Sequence, residues 1–150
     1  MMNSLFNPAD REALSLRLAA LEPGAQRQWG KMNPAQMLHH CACGLEAATG
    51  DRPMKQIFLG KILAPVVRGM ALGERPFSRN SPTDPTFVIS DARDFDVERT
   101  RLATILDRFV QRGPGSASAA THAFFGKLSG DEWGRLMFKH LDHHLRQFGV

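Results

Sequence analysis

Four segments of the sequence have the apolar spacing of amphipathic α-helices, and hardly any of the sequence alternates as a β-strand does. The first two segments both open with Asn-Pro, at Asn7-Pro8 and Asn33-Pro34. Asn caps free backbone N–H groups, and Pro fits the first helical position. The first helix is predicted to stop at Pro23-Gly24, and the second to run towards Gly50, which favours a left-handed terminus.

The other two helices lie in the second half of the chain. One is predicted from about Asp94 to Gly113. The last starts at Ser129, which forms a capping box with Glu132, and continues to the C-terminus. Four principal amphipathic helices predict an all-α fold, a helical bundle that forms one domain over residues 1–150.

The middle of the chain has a weaker pattern. Met54 to Leu72 has helical apolar spacing, but Pro65 is expected to break or kink this helix. Arg75 to Pro85 has the composition of a loop, and Phe87-Val88-Ile89 is predicted as a short extended stretch. Gly113 to Ala120 is predicted as a linker.

Composition limits the classes of protein to which the chain can belong. With 150 residues, 43% of them hydrophobic, it fits one globular domain with a sizeable core. No apolar run is long enough to span a membrane, and no signal peptide is evident, so a cytoplasmic location is expected. The net charge of +4 is mild and spread along the chain, and it forms no basic stripe interleaved with aromatic residues. Nucleic acid is therefore not an expected partner, whereas a small-molecule substrate is, and a homodimer stays open.

Histidines on the last helix predict a metal site. His140 and His144 are four residues apart and lie above one another on one helix face. Trp133, Met137 and Gln147 lie near the same face, which is expected to point into the bundle. Two imidazoles at this spacing can aim at a single transition-metal ion.

The second helix carries a matching face around His40. Met37 and Gly44 share this face, and Gln36 and Cys43 lie beside it. Small residues next to an inward His leave room for a metal and an open coordination position. Three His ligands and a water are typical of a catalytic site, and imidazole donors favour zinc or nickel over magnesium. The alternative is that small residues here only allow two helices to approach closely.

Two motifs resemble the DinB/YfiT-like superfamily. They are Met32 to His40 near the start of the second helix and His140 to Gln147 in the last. The phrases Trp29 to Met32, His122 to Leu128 and His140 to Phe148 resemble an uncharacterised branch of that superfamily. The resemblance covers nearly the whole chain. It implies an up-down-down-up four-helix bundle in which residues 51–91 form the crossover between helices 2 and 3.

The resemblance also implies a ligand set and a chemistry. One His from the second helix and two from the last would hold a divalent metal, which gives His40, His140 and His144. The neighbouring His39 and His143 are alternative ligands. Characterised relatives in the superfamily are thiol-dependent S-transferases and isomerases, so the resemblance implies a metal-dependent transferase that uses a low-molecular-weight thiol. A non-enzymatic metal- or small-molecule-binding bundle and a metal-dependent hydrolase are the alternatives.

Further residues near the predicted site have two interpretations each. His122 could cover the metal pocket or hold a backbone carbonyl, and Cys43 could be a fourth ligand or an inert buried thiol. Gln36 and Gln147 are placed to hydrogen-bond the ligand histidines, and Trp133 to pack in the core or the pocket wall. Basic residues between Arg52 and Arg79 could accept an acidic thiol or form a solvated face; they are Lys55, Lys61, Arg68 and Arg75.

Overall fold

The computed structural model describes residues 2–81 and 83–150, and these are mostly helical. The helices are α1 (Pro8–Ala20), α2 (Pro34–Thr49), α3 (Phe58–Leu72), α4 (Phe95–Ala117) and α5 (Gly130–Gln147). A 3₁₀ turn at Pro85–Phe87 lies between α3 and α4. Two short antiparallel strands, β1 (Thr121–His122) and β2 (Gly126–Lys127), form a hairpin before α5. The all-α prediction is therefore confirmed at the level of fold class.

Helices α1, α2 and α5 begin at the predicted capping residues. Asn7 accepts from the Ala9 N–H, and Asn33 forms a reciprocal capping box with Gln36. Ser129 forms the same box with Glu132 at the start of α5. Gly50 ends α2 with φ of 79°, a left-handed conformation that Gly adopts without a steric penalty.

The structure departs from two expectations for the middle of the chain. Pro65 does not break the third helix, because α3 continues through it to Leu72. Pro65 lies on the exposed side of α3, where water can satisfy the carbonyl that loses its helical partner. The predicted linker after Gly113 is partly helical: Gly113 has φ of 73° and breaks α4, but another helical turn follows and ends at Ala117.

The core forms where the apolar faces of α1, α2, α4 and α5 meet. α2 packs most extensively on α4, and α5 contacts α1, α2, α3 and α4. Leu14 of α1 and Leu21 just after it are buried, as are Leu102 and Phe109 of α4. Burial of these side chains supplies the main driving force for folding and fixes α2 beside α5. Within the described residues, no helix combines the length and the apolar composition needed to cross a membrane.

Candidate metal centre

Helices α2 and α5 bring His40, His140 and His144 together. One ring nitrogen from each histidine lies within 4.8 Å of the other two. The Nε2 atoms of His40 and His140 are 2.9 Å apart. Two nitrogens that share one transition ion, each about 2.0–2.1 Å from it, lie roughly 3 Å apart. The predicted convergence of these helix faces is confirmed, and the three histidines can hold a metal ion.

A backbone carbonyl fixes the tautomer of His40. Its Nδ1 lies 2.8 Å from the carbonyl oxygen of Phe87. A carbonyl oxygen can only accept, so Nδ1 carries the proton and donates it. In the neutral ring the lone pair then sits on Nε2, which faces the other two histidines. The Phe87 carbonyl comes from the 3₁₀ turn that Asp84 caps by accepting from the Thr86 N–H at 2.8 Å.

Gln147 fixes His144 in the same way. Its Nε2 donates to the Trp29 carbonyl at 2.7 Å, which sets the orientation of the amide. Its Oε1 therefore faces His144 Nδ1 at 2.9 Å and accepts a hydrogen bond from the Nδ1–H group. His144 Nε2 is left with the lone pair. Gln147 hydrogen-bonds His144 as predicted, whereas no motif marked the carbonyls of Phe87 and Trp29.

His140 faces His40 and Gly44. A Cβ at Gly44 would lie 3.1 Å from His140 Cε1 and 3.2 Å from its Nδ1, closer than most side chains allow. The absent side chain of Gly44 thus gives the His140 ring its space, whereas the sequence predicted room for a metal and an open coordination position here. His40 and His144 are buried, while His140 is partly exposed. The cluster therefore lies largely away from solvent.

Burial keeps the three rings neutral. Burial and, to a smaller extent, the nearby His40 lower the pKa of His144 to about 3. Burial also lowers the pKa of His40, and it lowers the pKa of His140 well below 6.5. A protonated imidazole has no lone pair for a metal. All three rings are therefore in the form that binds an ion at neutral pH.

The neighbouring histidines point elsewhere. His39 lies on the α4 side of α2, with Nδ1 2.8 Å from Glu98 Oε1 and 2.7 Å from the Arg101 guanidinium. His143 lies against the aromatic rings of Trp29 and Phe77, with ring centroids 5.4 and 5.9 Å away. Neither belongs to the three-histidine cluster. The predicted set of three is the one that the fold brings together.

Two residues predicted beside the site have other roles. Gln36 accepts from the Asn33 N–H and donates to the Asp91 carbonyl, so its amide caps α2 instead of orienting a histidine. Cys43 is buried but lies outside the cluster of possible ligands. Its interpretation as an inert buried thiol therefore stands, and the cluster formed by the described residues consists of imidazoles alone.

Apolar side chains surround the cluster. Met37, Trp133 and Met137 are buried, as expected for core or pocket-wall positions. The Met137 sulfur lies 4.0 Å from the position that a Cβ at Gly44 would take, which places Met137 beside the His140 ring. These side chains exclude water from one side of the histidines and strengthen electrostatic interactions there.

The hydrogen bonds of His122 join it to backbone N–H groups instead of a carbonyl. Its Nδ1 accepts from the backbone N–H groups of Phe124 and Phe125, at 3.0 and 3.1 Å, inside the β1–β2 hairpin. Its ring lies against Trp133, with centroids 5.4 Å apart. Burial lowers the pKa of His122 to about 4. Protonation of Nδ1 would also break both bonds that hold the hairpin turn.

His122 should make the protein sensitive to acid. Its pKa is about 4 when folded and 6.5 in its ordinary state, so the unfolded chain binds the proton more tightly. Neutral His122 makes its full contribution to the free energy of unfolding above pH about 6.5. The free energy of unfolding should fall by about 2–3 kcal/mol as the pH drops to about 4. His122→Asn keeps an acceptor for the two N–H groups but cannot titrate. Urea unfolding of both metal-free proteins should show a shallower acid limb for the variant; parallel limbs would contradict this assignment.

A cavity of about 450 Å³ lies on the His143 side of the cluster. Its lining includes Trp29, Phe77, Arg79, His143 and Arg146. The His143 ring lies 5.1 Å from that of His144, so the cavity is separated from the cluster by about one imidazole. Arg79 stacks on Trp29 with its guanidinium carbon 4.7 Å from the ring centre. Cationic and aromatic groups of this kind favour small anionic ligands with an apolar part.

Comparison with known proteins gives one match. No curated protein and no solved structure matches the chain. One family model covers almost all of the sequence, residues 3–149, and its description is "Protein of unknown function (DUF1569)". A match over that share of the sequence includes all three histidines and both helices that carry them. The chain therefore belongs to the DUF1569 family.

Proposed function

We propose that this protein is a divalent-metal-dependent enzyme that transfers a low-molecular-weight thiol to a small-molecule electrophile. The observation that carries the proposal is the convergence of three neutral imidazoles, His40, His140 and His144, on one point. Two of them have hydrogen bonds at Nδ1 that turn the Nε2 lone pair towards that point. Zinc or nickel suits such donors better than magnesium does.

The donor set favours a catalytic site over a closed structural one. Three imidazoles leave a tetrahedral ion one free position, whereas structural zinc sites use four protein ligands. Imidazoles carry no charge, so a bound divalent ion would keep its full positive charge and lower the pKa of a coordinated thiol. In the proposed reaction the thiolate sulfur bonds to the electrophile as the leaving group departs, and the thiol proton passes to solvent.

The protein groups around the cluster support activation of a thiol more than a hydrolytic mechanism. A hydrolase commonly uses a carboxylate as general base beside the metal. The acidic residues nearest to the three histidines in the sequence form ion pairs with arginines. Glu46 pairs with Arg101 at 2.6 Å, and Asp142 pairs with Arg17 at 2.7 Å.

We also propose that the fold is a DinB-like four-helix bundle. In this arrangement α1, α2, α4 and α5 run up-down-down-up, and residues 51–91, which contain α3, form the crossover. The proposal is supported by the packing of α5 against α1, α2 and α4 and by the position of the histidines on α2 and α5. An experimental structure that places α2 and α4 in other relative directions would overturn it.

A cobalt-substituted protein tests the proposed activity. Titration with glutathione should produce a sulfur-to-cobalt charge-transfer band in the near ultraviolet. S-methylglutathione has the same charged groups but no thiol, so it should produce no band. His143→Ala, which leaves the three-histidine cluster intact, should respond like the unchanged protein. If cobalt binds but no thiol alters its spectrum, the protein is a metal-binding bundle without thiol chemistry, and a response to hydroxide-like inhibitors alone would indicate a hydrolase.

A further inference from the structure

Helix α3 exposes its large apolar side chains and buries its small ones. Phe58, Ile62, Val66 and Met70 are 77%, 56%, 78% and 71% exposed. Ala64, on the opposite face, is only 5% exposed. The apolar spacing of this segment normally predicts a face turned into the core. Here the same face points to solvent.

Contacts on the inner side hold α3 in this orientation. Arg68 forms a bidentate ion pair with Glu132 of α5, with distances of 2.8 and 2.7 Å. Lys139 donates to the carbonyls of Met70, Ala71 and Gly73 and so caps the C-terminal end of α3. These contacts would break if α3 rotated to bury its apolar face.

The backbone of the hairpin also packs on α3. A Cβ at Gly60 would clash with the backbone of Phe124, so this part of α3 is in direct contact with the hairpin. The Ile57 N–H donates to the Ala123 carbonyl at 2.8 Å. The inner face of α3 is therefore held against α5 and the hairpin, and the outer face is left to solvent.

We propose that the exposed ridge of α3, formed by Phe58, Ile62, Val66 and Met70, is the interface between two copies of this chain. Residues four apart form a ridge, and two such ridges pack into each other's grooves at a defined angle. The ridge is symmetric about residue 64. An antiparallel pair therefore sets Phe58 against the second copy's Met70 and Ile62 against the second copy's Val66. A two-fold interface requires this self-complementarity.

The chemistry of the contacts fits the antiparallel arrangement. A Met sulfur beside an aromatic ring is a favourable contact, and it would occur twice. Exposed Lys55 precedes α3, and exposed Glu74 and Arg75 follow it, so an antiparallel pair places Glu74 of each copy near Lys55 of the other. A parallel pair would place the two Lys55 side chains together instead. An anionic lipid surface offers no positive partner to Glu74, so this pairing favours a second copy.

The exposed area is also of the size that a dimer needs. The four ridge side chains and the exposed Leu59 offer roughly 600 Å² per chain, compared with about 800 Å² per partner in a standard interface. Neighbouring side chains, such as Leu63 and Lys61, would supply the remainder at the rim. An apolar patch of this size is at the upper end of the range for the largest patch on a monomer, and such patches are often functional.

Sedimentation equilibrium of the full chain tests the interface. The unchanged protein should be dimeric at micromolar concentrations, and Val66→Glu should raise the dimer dissociation constant by at least about a hundredfold. Val97→Glu is the matched control, because Val97 is an exposed Val on another helix, 62% exposed. It should leave the dimer unchanged. Circular dichroism would verify that both variants keep their helical content.

Thiol cross-linking tests the antiparallel orientation. A mixture of Ile62→Cys and Val66→Cys chains should cross-link with a short bismaleimide more readily than either variant alone. Cys41 and Cys43 are buried and should not compete. A monomer for the unchanged protein, or a dimer that survives Val66→Glu, would overturn the proposal. A chain that stays monomeric but binds anionic vesicles through Val66 would overturn it too, and would make the ridge a membrane-binding surface.

Discussion

Replacing His140 or His144 with Ala should lower the affinity for zinc by more than about a hundredfold. Loss of a group that only orients a ligand lowers metal affinity by up to about a hundredfold, and loss of the ligand itself should cost more. The three histidines supply all the donors in the cluster, and the loss of one leaves two. A two-imidazole site cannot hold the ion against competing chelators. Metal content of the purified proteins and competition with a chromophoric chelator would measure the loss, and His40→Ala should behave in the same way.

Two neighbouring histidines provide matched controls. His39 and His143 each lie directly beside a ligand in the sequence but turn to other contacts. His39→Ala and His143→Ala should therefore retain metal at full occupancy. If either control lost the metal while His140→Ala or His144→Ala kept it, the ligand assignment would be wrong. Each control lies on the same helix as the ligand with which it is compared, one position away. General effects of a mutation on helix stability are therefore common to both variants.

The site could be predicted from the sequence because helical periodicity converts spacing into direction. His140 and His144 are one turn apart, so any α-helix through them places both rings on one face. The capping signals at Asn33 and Ser129 fixed where the two relevant helices begin, and these starts were confirmed. The same periodicity places His39 and His143 on other sides of their helices, away from the cluster.

Backbone groups that complete the site could not be predicted in this way. The Phe87 and Trp29 carbonyls orient two of the three rings, but every residue carries a carbonyl and no motif marks those two. Their positions depend on how the loops around residues 29 and 87 pack against α2 and α5. The role of His122 could not be predicted either. It depends on the turn of the β1–β2 hairpin, whose strands are only two residues long.

The orientation of α3 also could not be predicted from the sequence pattern. Its apolar spacing predicts an amphipathic helix, which is present, but periodicity does not say whether the apolar face meets the core or a partner. The deciding contacts are the ion pair of Arg68 with Glu132 and the bonds from Lys139, which join residues more than 60 positions apart in the sequence. Long-range polar contacts of this kind leave no local signal.

Replacing Gln147 with Leu should lower zinc affinity by about ten- to a hundredfold, although Gln147 does not touch the metal position. The side chain is buried and joins His144 to the Trp29 carbonyl. Leu has a similar volume but no polar atoms, so His144 would lose the acceptor that keeps its proton on Nδ1. The ring could then take the other tautomer or rotate, and Nε2 would no longer be held as a ligand. Chelator competition and isotope-edited NMR of the His144 ring would report the two effects separately.

Gln147→Glu separates the two hydrogen bonds of the side chain. A carboxylate accepts from His144 Nδ1 more strongly than an amide does, but it cannot donate to the Trp29 carbonyl. Zinc affinity should therefore be kept in Gln147→Glu, while thermal stability should fall in both variants because the Trp29 carbonyl loses its donor. Equal losses of affinity in the two variants would show that Gln147 acts by anchoring the loop around Trp29, and that the tautomer of His144 is set by other groups.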